Sequence, residues 1–207
     1  MAHEYDVVGS TTPFSGRIWS VRSDEVAMPG GVTSQRDVVV HPGAVAVVAL
    51  RGEGDGTEVL LVNQYRHPVG RRLDELPAGL LDVAHEPALE AARRELAEEA
   101  GCAATTWHVL VDVLTSPGFT DEAIRVYLAT GVTEVTRSVQ HDEELEMTAH
   151  WVPLATAVRA ALSGELENGV CVTGVLAAAA ALADSGGVRL RSADAPWRSR
   201  PAAAPGS

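Results

Sequence analysis

Two largely apolar runs, residues 44–50 and 59–65, dominate the hydrophobic pattern and are separated by a glycine-rich turn at 52–56. Runs without polar alternation belong to strands covered on both faces, so these two predict a buried hairpin. Further strands are expected at 107–114, at 123–129, where Ile124, Val126 and Leu128 alternate, and at 148–152. Helices are expected at 154–162 and about 170–183, the second apolar on nearly every side and so buried or at a subunit contact. Upstream, 17–27 and 32–41 read as a hairpin around Met28-Pro29-Gly30-Gly31, and 1–15 as irregular. Such a hairpin holds no core alone and must pack on the main domain or on a second subunit. Strands interleaved with helices predict an α/β fold, a mixed sheet between helical layers. The chain divides into an N-terminal β segment (1–41), a main domain (42–186) and a tail (187–207) rich in Ala, Pro, Ser and Arg, whose composition predicts disorder.

The most informative stretch is 79–102. Pro87 suits a first helical position, Glu86 and Glu90 lie near the positive end, and Gly101 supplies the stop. At helical spacing Leu89, Ala92, Leu96 and Ala103 form an apolar stripe, while Glu95, Glu98 and Glu99 cluster on the adjoining face. Glu95 and Glu99 are like charges one turn apart, which costs about 0.2–0.5 kcal/mol. Negative charge towards the helix C-terminus costs about 0.3–1 kcal/mol more. A positive partner is therefore expected, and Arg94, four residues from both Glu90 and Glu98, supplies part of it. The face reads either as solvated and salt-bridged or as oxygen ligands for a hard divalent cation, preorganised by the helix.

Composition narrows the class of partner. The 207 residues suffice for a sizeable core, and the 46% apolar fraction fits a globular protein. A formal charge of −12 argues against nucleic acid or an anionic membrane as partner. A small phosphorylated substrate remains compatible if local arginines and metal ions neutralise it. Cys102 and Cys171 form neither a C-x-x-C pair nor a disulfide framework, which points to a reducing compartment. The N-terminus lacks a signal-peptide pattern, and the apolar stretch 169–182 is shorter than the ~20 residues of a membrane span. The expectation is a cytoplasmic protein.

Four other places carry candidate chemistry. Arg66 stands at the exit of the second buried strand, after Gln64-Tyr65, and Glu75 precedes a proline. Ser116-Pro117-Gly118-Phe119-Thr120-Asp121 is by itself a turn. His141-Asp142-Glu143-Glu144 is by itself a solvated acidic loop.

Gly79, Glu86, Arg94-Glu95-Leu96-Ala97-Glu98-Glu99 and Gly101-Cys102 resemble the Nudix box of hydrolases that cleave nucleoside diphosphates linked to another moiety. Six residues separate Gly79 from Glu86, one more than the family pattern has, and a strict count places His85 at the glutamate position. The insertion precedes the helix and leaves the spacing of Glu95 and Glu99 untouched. Glu75-Leu76-Pro77-Ala78-Gly79 and Pro117, 16 residues beyond Gly101, narrow the resemblance to the ADP-ribose pyrophosphatases. It implies a Nudix-type α/β/α sandwich and a homodimer paired through the N-terminal segment. It also implies Mg²⁺, with Mn²⁺ as a substitute, held by Glu95, Glu99, Glu98 and the Ala78 carbonyl.

The same resemblance implies a substrate-phosphate contact from Arg66, ribose-end contacts from Phe119 and Asp121, and a general base on the acidic loop. Glu144 is the first choice for that base and Glu143 the second, with Glu98 counted among the catalytic carboxylates. Glu75 is left as either a surface residue or a nucleoside contact. Trp19 is the candidate to stack on adenine, or else a core or interface tryptophan. The implied activity is hydrolysis of ADP-ribose to AMP and ribose 5-phosphate. The alternatives are another nucleoside diphosphate sugar or FAD as substrate, and a non-catalytic ADP-ribose sensor, which usually loses a box glutamate.

Overall fold

The computed structural model describes residues 4–137, 146–183 and 189–199. Its N-terminal part is an antiparallel three-stranded sheet of β1 (Val7–Ser15), β2 (Ser20–Met28) and β3 (Val32–Val40). The expected hairpin is β2 and β3, turning at Gly30 and Gly31, both with positive φ. Residues 7–15 were expected to be irregular and instead pair with β2 from Val7↔Val26 to Ser15↔Ser20. This strand is held by its backbone and stays largely exposed, so it leaves no apolar run in the sequence.

The main sheet contains β4 (Ala44–Arg51), β5 (Glu58–Arg66), β6 (Arg71–Glu75), β7 (Ala78–Leu80), β8 (Cys102–Leu114), β9 (Ala123–Glu134), β10 (Thr148–Pro153) and β11 (Arg191–Ser192). Its order is β10-β5-β4-β9-β8-β11, with β6 also on β5 and β7 also on β4. β4 and β9 run parallel, 44–49 beside 124–129, whereas β5 and β7 are antiparallel to β4, so the sheet is mixed. Among the described residues three α-helices cover it: α1 (Ala88–Ala100), α2 (Leu154–Ser163) and α3 (Gly169–Ala183).

The pleat sorts β4 between two cores. Ala44, Ala46, Val48 and Leu50 pack with Leu154, Ala157, Cys171, Val175 and Ala178 of α2 and α3. Val45, Val47 and Ala49 pack with Ala91, Ala92 and Leu96 of α1. Successive side chains point to opposite faces, which explains why β4 carries no polar alternation. The expected α/β/α sandwich is therefore present. On α3, a Cβ at Gly174 would lie 2.7 Å from Leu76 Cδ1 and 3.0 Å from Val48 Cγ2, so glycine lets the helix rest on the sheet.

Several boundaries move. Pro87 precedes α1 as its N-cap, with ψ 142°, and Ala88 is the first helical residue. β8 starts at Cys102 and β9 runs to Glu134, because the polar 130–134 pairs with 102–106 through the backbone. Within the tail expected to be disordered, Arg191 and Ser192 pair with Val109 and His108. Arg125 donates to the carbonyls of Ala195 (2.6 Å) and Pro196 (3.2 Å) and lies 5.0 Å from the Trp197 ring centre. These contacts use backbone and one buried arginine, neither of which shows in the tail's composition. Among the described residues, no helix is long and apolar enough to cross a membrane.

Candidate active site

The site grows from α1. Gly101 adopts φ 62°, ψ 35° and its amide donates to Ala97 O, closing the helix as the sequence predicts. The loop ahead of the helix absorbs the extra residue, with His85 at φ 66°. Glu86 is thereby delivered to Arg94, which donates to its two carboxylate oxygens over 3.1 Å each. Arg94 Nη1 also donates to Glu95 Oε1 (2.6 Å) and Glu98 Oε2 (3.0 Å). The Glu86 hydrogen bonds, with Glu95 and Glu98 behind them, raise the Arg94 pKa against the opposing effect of burial. Arg94 is a permanent cation amid three carboxylates.

A second positive partner comes from far along the chain. Arg137 Nε donates to Glu98 O (2.9 Å) and its Nη1 to Met147 O (3.1 Å), which sets positive charge at the helix C-terminus. The helix dipole calls for such a charge, and its source, 39 positions away, leaves no local pattern in the sequence.

β7 builds the facing wall. Ala78 and Gly79 pair with Ala46 and Val45 of β4, which carries them to the carboxylate-bearing edge of α1. The Ala78 amide donates to Glu99 Oε2 over 2.8 Å. At Gly79 an added Cβ would fall 2.0 Å from Glu95 Oε1, so the missing side chain is the space the carboxylate fills. Glu95 and Glu99 are only 9% and 7% exposed. Glu95, Glu98, Glu99 and Ala78, the predicted metal set, are thus brought to one place. All the donors are oxygens, which suits a hard divalent cation rather than a soft one. Among the described residues no three acidic, histidine or cysteine groups stand in chelating geometry. Arg94 engages Glu95 and Glu98, and the Ala78 amide engages Glu99.

Arg66 pairs with Glu75 through two parallel bonds, Nε to Oε1 (2.9 Å) and Nη2 to Oε2 (2.7 Å). The Glu75 side chain is 5% exposed, so it is no surface residue, whereas that of Arg66 is 44% exposed. Arg66 lines a cavity of about 470 Å³ with Tyr65, His67, Arg72 and Glu146. Glu75 lies three residues before Ala78, so one short segment serves both Arg66 and Glu99.

Phe119 and Asp121 line a different cavity of about 630 Å³, whose other wall is the N-terminal sheet with Arg22, Asp24 and Arg36. Trp19 lines neither cavity; it is 44% exposed, with its ring centre 5.2 Å from that of Phe14. Glu143 and Glu144 lie outside the described residues. Arg137 and Arg72 carry no sequence signal for the contacts they make. Arg72 donates to Glu146 O (3.1 Å) and Oε2 (2.9 Å), a pairing 74 residues apart that leaves no local signal.

A mixed sheet between helices, with a helix presenting clustered glutamates to a glycine-containing strand, is the arrangement that the resemblance to the Nudix hydrolases implies. The family model of the NUDIX domain matches residues 40–170, and the chain belongs to that family. It is 50% identical over 201 residues to the ADP-ribose pyrophosphatase of Mycobacterium tuberculosis, spanning 97% of this chain and 95% of the relative. It is 40% identical over 136 residues to the ADP-ribose pyrophosphatase of Bacillus subtilis, 65% of this chain and 71% of the relative. A crystal structure of an ADP compounds hydrolase shares the fold, with a TM-score of 0.74 at 20% identity over 91% of this chain and 99% of that one.

Proposed function

We infer that the protein hydrolyses the pyrophosphate bond of ADP-ribose, giving AMP and ribose 5-phosphate. The observation that carries the chemistry is the buried Glu95 and Glu99 pair, with Glu98 beside it, set against Ala78 and Gly79. The choice of substrate rests on 50% identity across nearly the whole chain to an ADP-ribose pyrophosphatase.

Water adds to one phosphorus, the anhydride P–O bond breaks, and each product leaves as a phosphomonoester. Glu95, Glu98 and Glu99, with the Ala78 carbonyl, would hold Mg²⁺, or Mn²⁺ in its place. When bound, the metal polarises the phosphoryl oxygens and lowers the pKa of water. Arg94 donates to Glu86, Glu95 and Glu98 and offsets the repulsion among their charges. Arg66, oriented by its two bonds to Glu75, presents its guanidinium to a phosphate oxygen. Glu144, with Glu143 second, is assigned the water's proton on the ground that the reaction needs a base within hydrogen-bond reach. Phe119 is assigned to the ribose end and Trp19 to the adenine end.

We also propose a homodimer through the N-terminal sheet, which leaves Val8, Phe14, Ile18, Trp19 and Val32 exposed. A cytoplasmic location accords with two buried free cysteines. Measuring AMP release from ADP-ribose, FAD, GDP-mannose and diadenosine polyphosphates with and without Mg²⁺ tests the reading. ADP-ribose is expected to be preferred, and Glu95→Gln to lose more than tenfold in turnover, over about 1.4 kcal/mol. Tight binding of ADP-ribose without turnover would favour a sensor instead.

A further inference from the structure

The chain leaves the N-terminal sheet at 40–43, and at that root it is stitched to the turn at 116–121. Val39 donates to Phe119 O (2.8 Å), and the Asp121 amide donates back to Val39 O (3.2 Å), forming a parallel bridge between Val39 and Thr120. Thr120 Oγ1 donates to the same Val39 carbonyl over 2.9 Å. The seam is completed by a side chain: the His41 amide donates to Asp121 Oδ1 over 2.9 Å. Sheet and turn form opposite walls of the 630 Å³ cavity, so their separation sets its width.

We propose that Asp121 is a positioning residue. Through the His41 amide it registers the 116–121 turn on the N-terminal sheet, and this register sets how well the site receives the sugar end of a nucleoside diphosphate sugar. The inference rests on the hydrolase reading above and deepens it. It assigns Asp121 an indirect role in place of a direct ribose contact. The physical reason is that a wall hinged at one backbone seam moves as a whole when the seam opens. An error of about 1 Å at a wall degrades the fit of the bound substrate. The seam's hydrogen bonds join Val39 and His41 to the 116–121 turn and none of them ends on α1, so the effect is expected in KM rather than in kcat.

The test compares Asp121→Ala with Asp121→Asn, which keeps an oxygen able to accept the His41 amide. Asp121→Ala is expected to raise KM for ADP-ribose about tenfold with kcat within about twofold, and Asp121→Asn to restore KM to within about threefold. Amide hydrogen exchange at His41 should quicken in the alanine variant and stay slow in the asparagine variant. Thr120→Val, which removes the Thr120 stitch, should show the same KM-against-kcat split and covers the case of an unfolded alanine variant. Equal KM losses in Asp121→Ala and Asp121→Asn would overturn the proposal in favour of direct contact by the charge. A quickened His41 amide with unchanged KM, or a kcat that falls alongside KM, would also overturn it. A wild-type enzyme that leaves ADP-ribose intact overturns the choice of ADP-ribose as substrate instead. The KM comparison then uses whichever nucleoside diphosphate derivative the wild type cleaves.

Discussion

Gly79 and Glu95 occupy one space: a Cβ on the glycine would lie 2.0 Å from the Glu95 carboxylate oxygen. Gly79 has no positive φ, so alanine meets no backbone strain there and the cost falls on the position of Glu95. Gly79→Ala should therefore cut kcat/KM at least tenfold, about 1.4 kcal/mol. Its melting temperature should fall by no more than roughly 4 °C, the shift that about 1 kcal/mol gives a chain of this size. Steady-state kinetics beside thermal melts make the check. Normal turnover in a folded variant would mean that Glu95 need not stand where Gly79 admits it.

Arg66 and Glu75 are paired, yet only the arginine reaches solvent. Arg66→Ala leaves a buried carboxylate unpaired, which costs about 1–3 kcal/mol, towards the lower end because the arginine is half exposed and screened. Adding Glu75→Gln should recover stability in urea denaturation without recovering turnover. Recovery of both would show that Arg66 serves only to neutralise Glu75.

Asp112 accepts from Arg125 (2.8 and 3.1 Å) and from Arg191 (2.6 Å). Partial burial pushes its carboxyl up, but hydrogen bonds from Arg125 and Arg191 outweigh this and hold it below its ordinary value. A lowered folded-state pKa stabilises above the unfolded value of about 3.9 and is lost as pH falls towards the folded value. The stability gap between wild type and Asp112→Asn should be constant above about pH 5 and shrink below about pH 4. Denaturation from pH 6 to pH 3.5 measures it. A gap that widens on acidification would contradict the assigned sign.

Cys171 is fully buried, and burial, with the charges of Glu75 and Asp74 behind it, pushes its thiol up to about 12. At pH 8 only roughly one thiol in ten thousand is then ionised. Burial raises Cys102 as well. Thiol titration should find neither cysteine reactive within minutes in the native protein and both reactive in guanidinium. Prompt native reaction of Cys171 would mean that α3 opens from the sheet.

Much of this was legible in the chain because the signals are local. The apolar runs within β4 and β5, the proline and glycine around α1 and the spacing of Glu95 and Glu99 lie within windows of a few residues. The apolar α3 reads as buried or at a subunit contact; one face lies on the sheet, closely at Gly174, while Leu182 is exposed. The exposed β1 and the polar end of β9 were not legible, because strands held by backbone pairing show no hydrophobic period.

The sequence by itself determined the layered α/β fold, the helix that carries three glutamates and the need for positive charge beside them. Those follow from periodicity, capping and like-charge repulsion, which act over one or two turns. Tertiary structure alone decided that Arg137 supplies charge at the helix end, that Gly79 makes room for Glu95, and that Asp121 binds the root of the N-terminal sheet. Each is a contact between segments that meet only once the sheet has formed, so no local pattern could carry it.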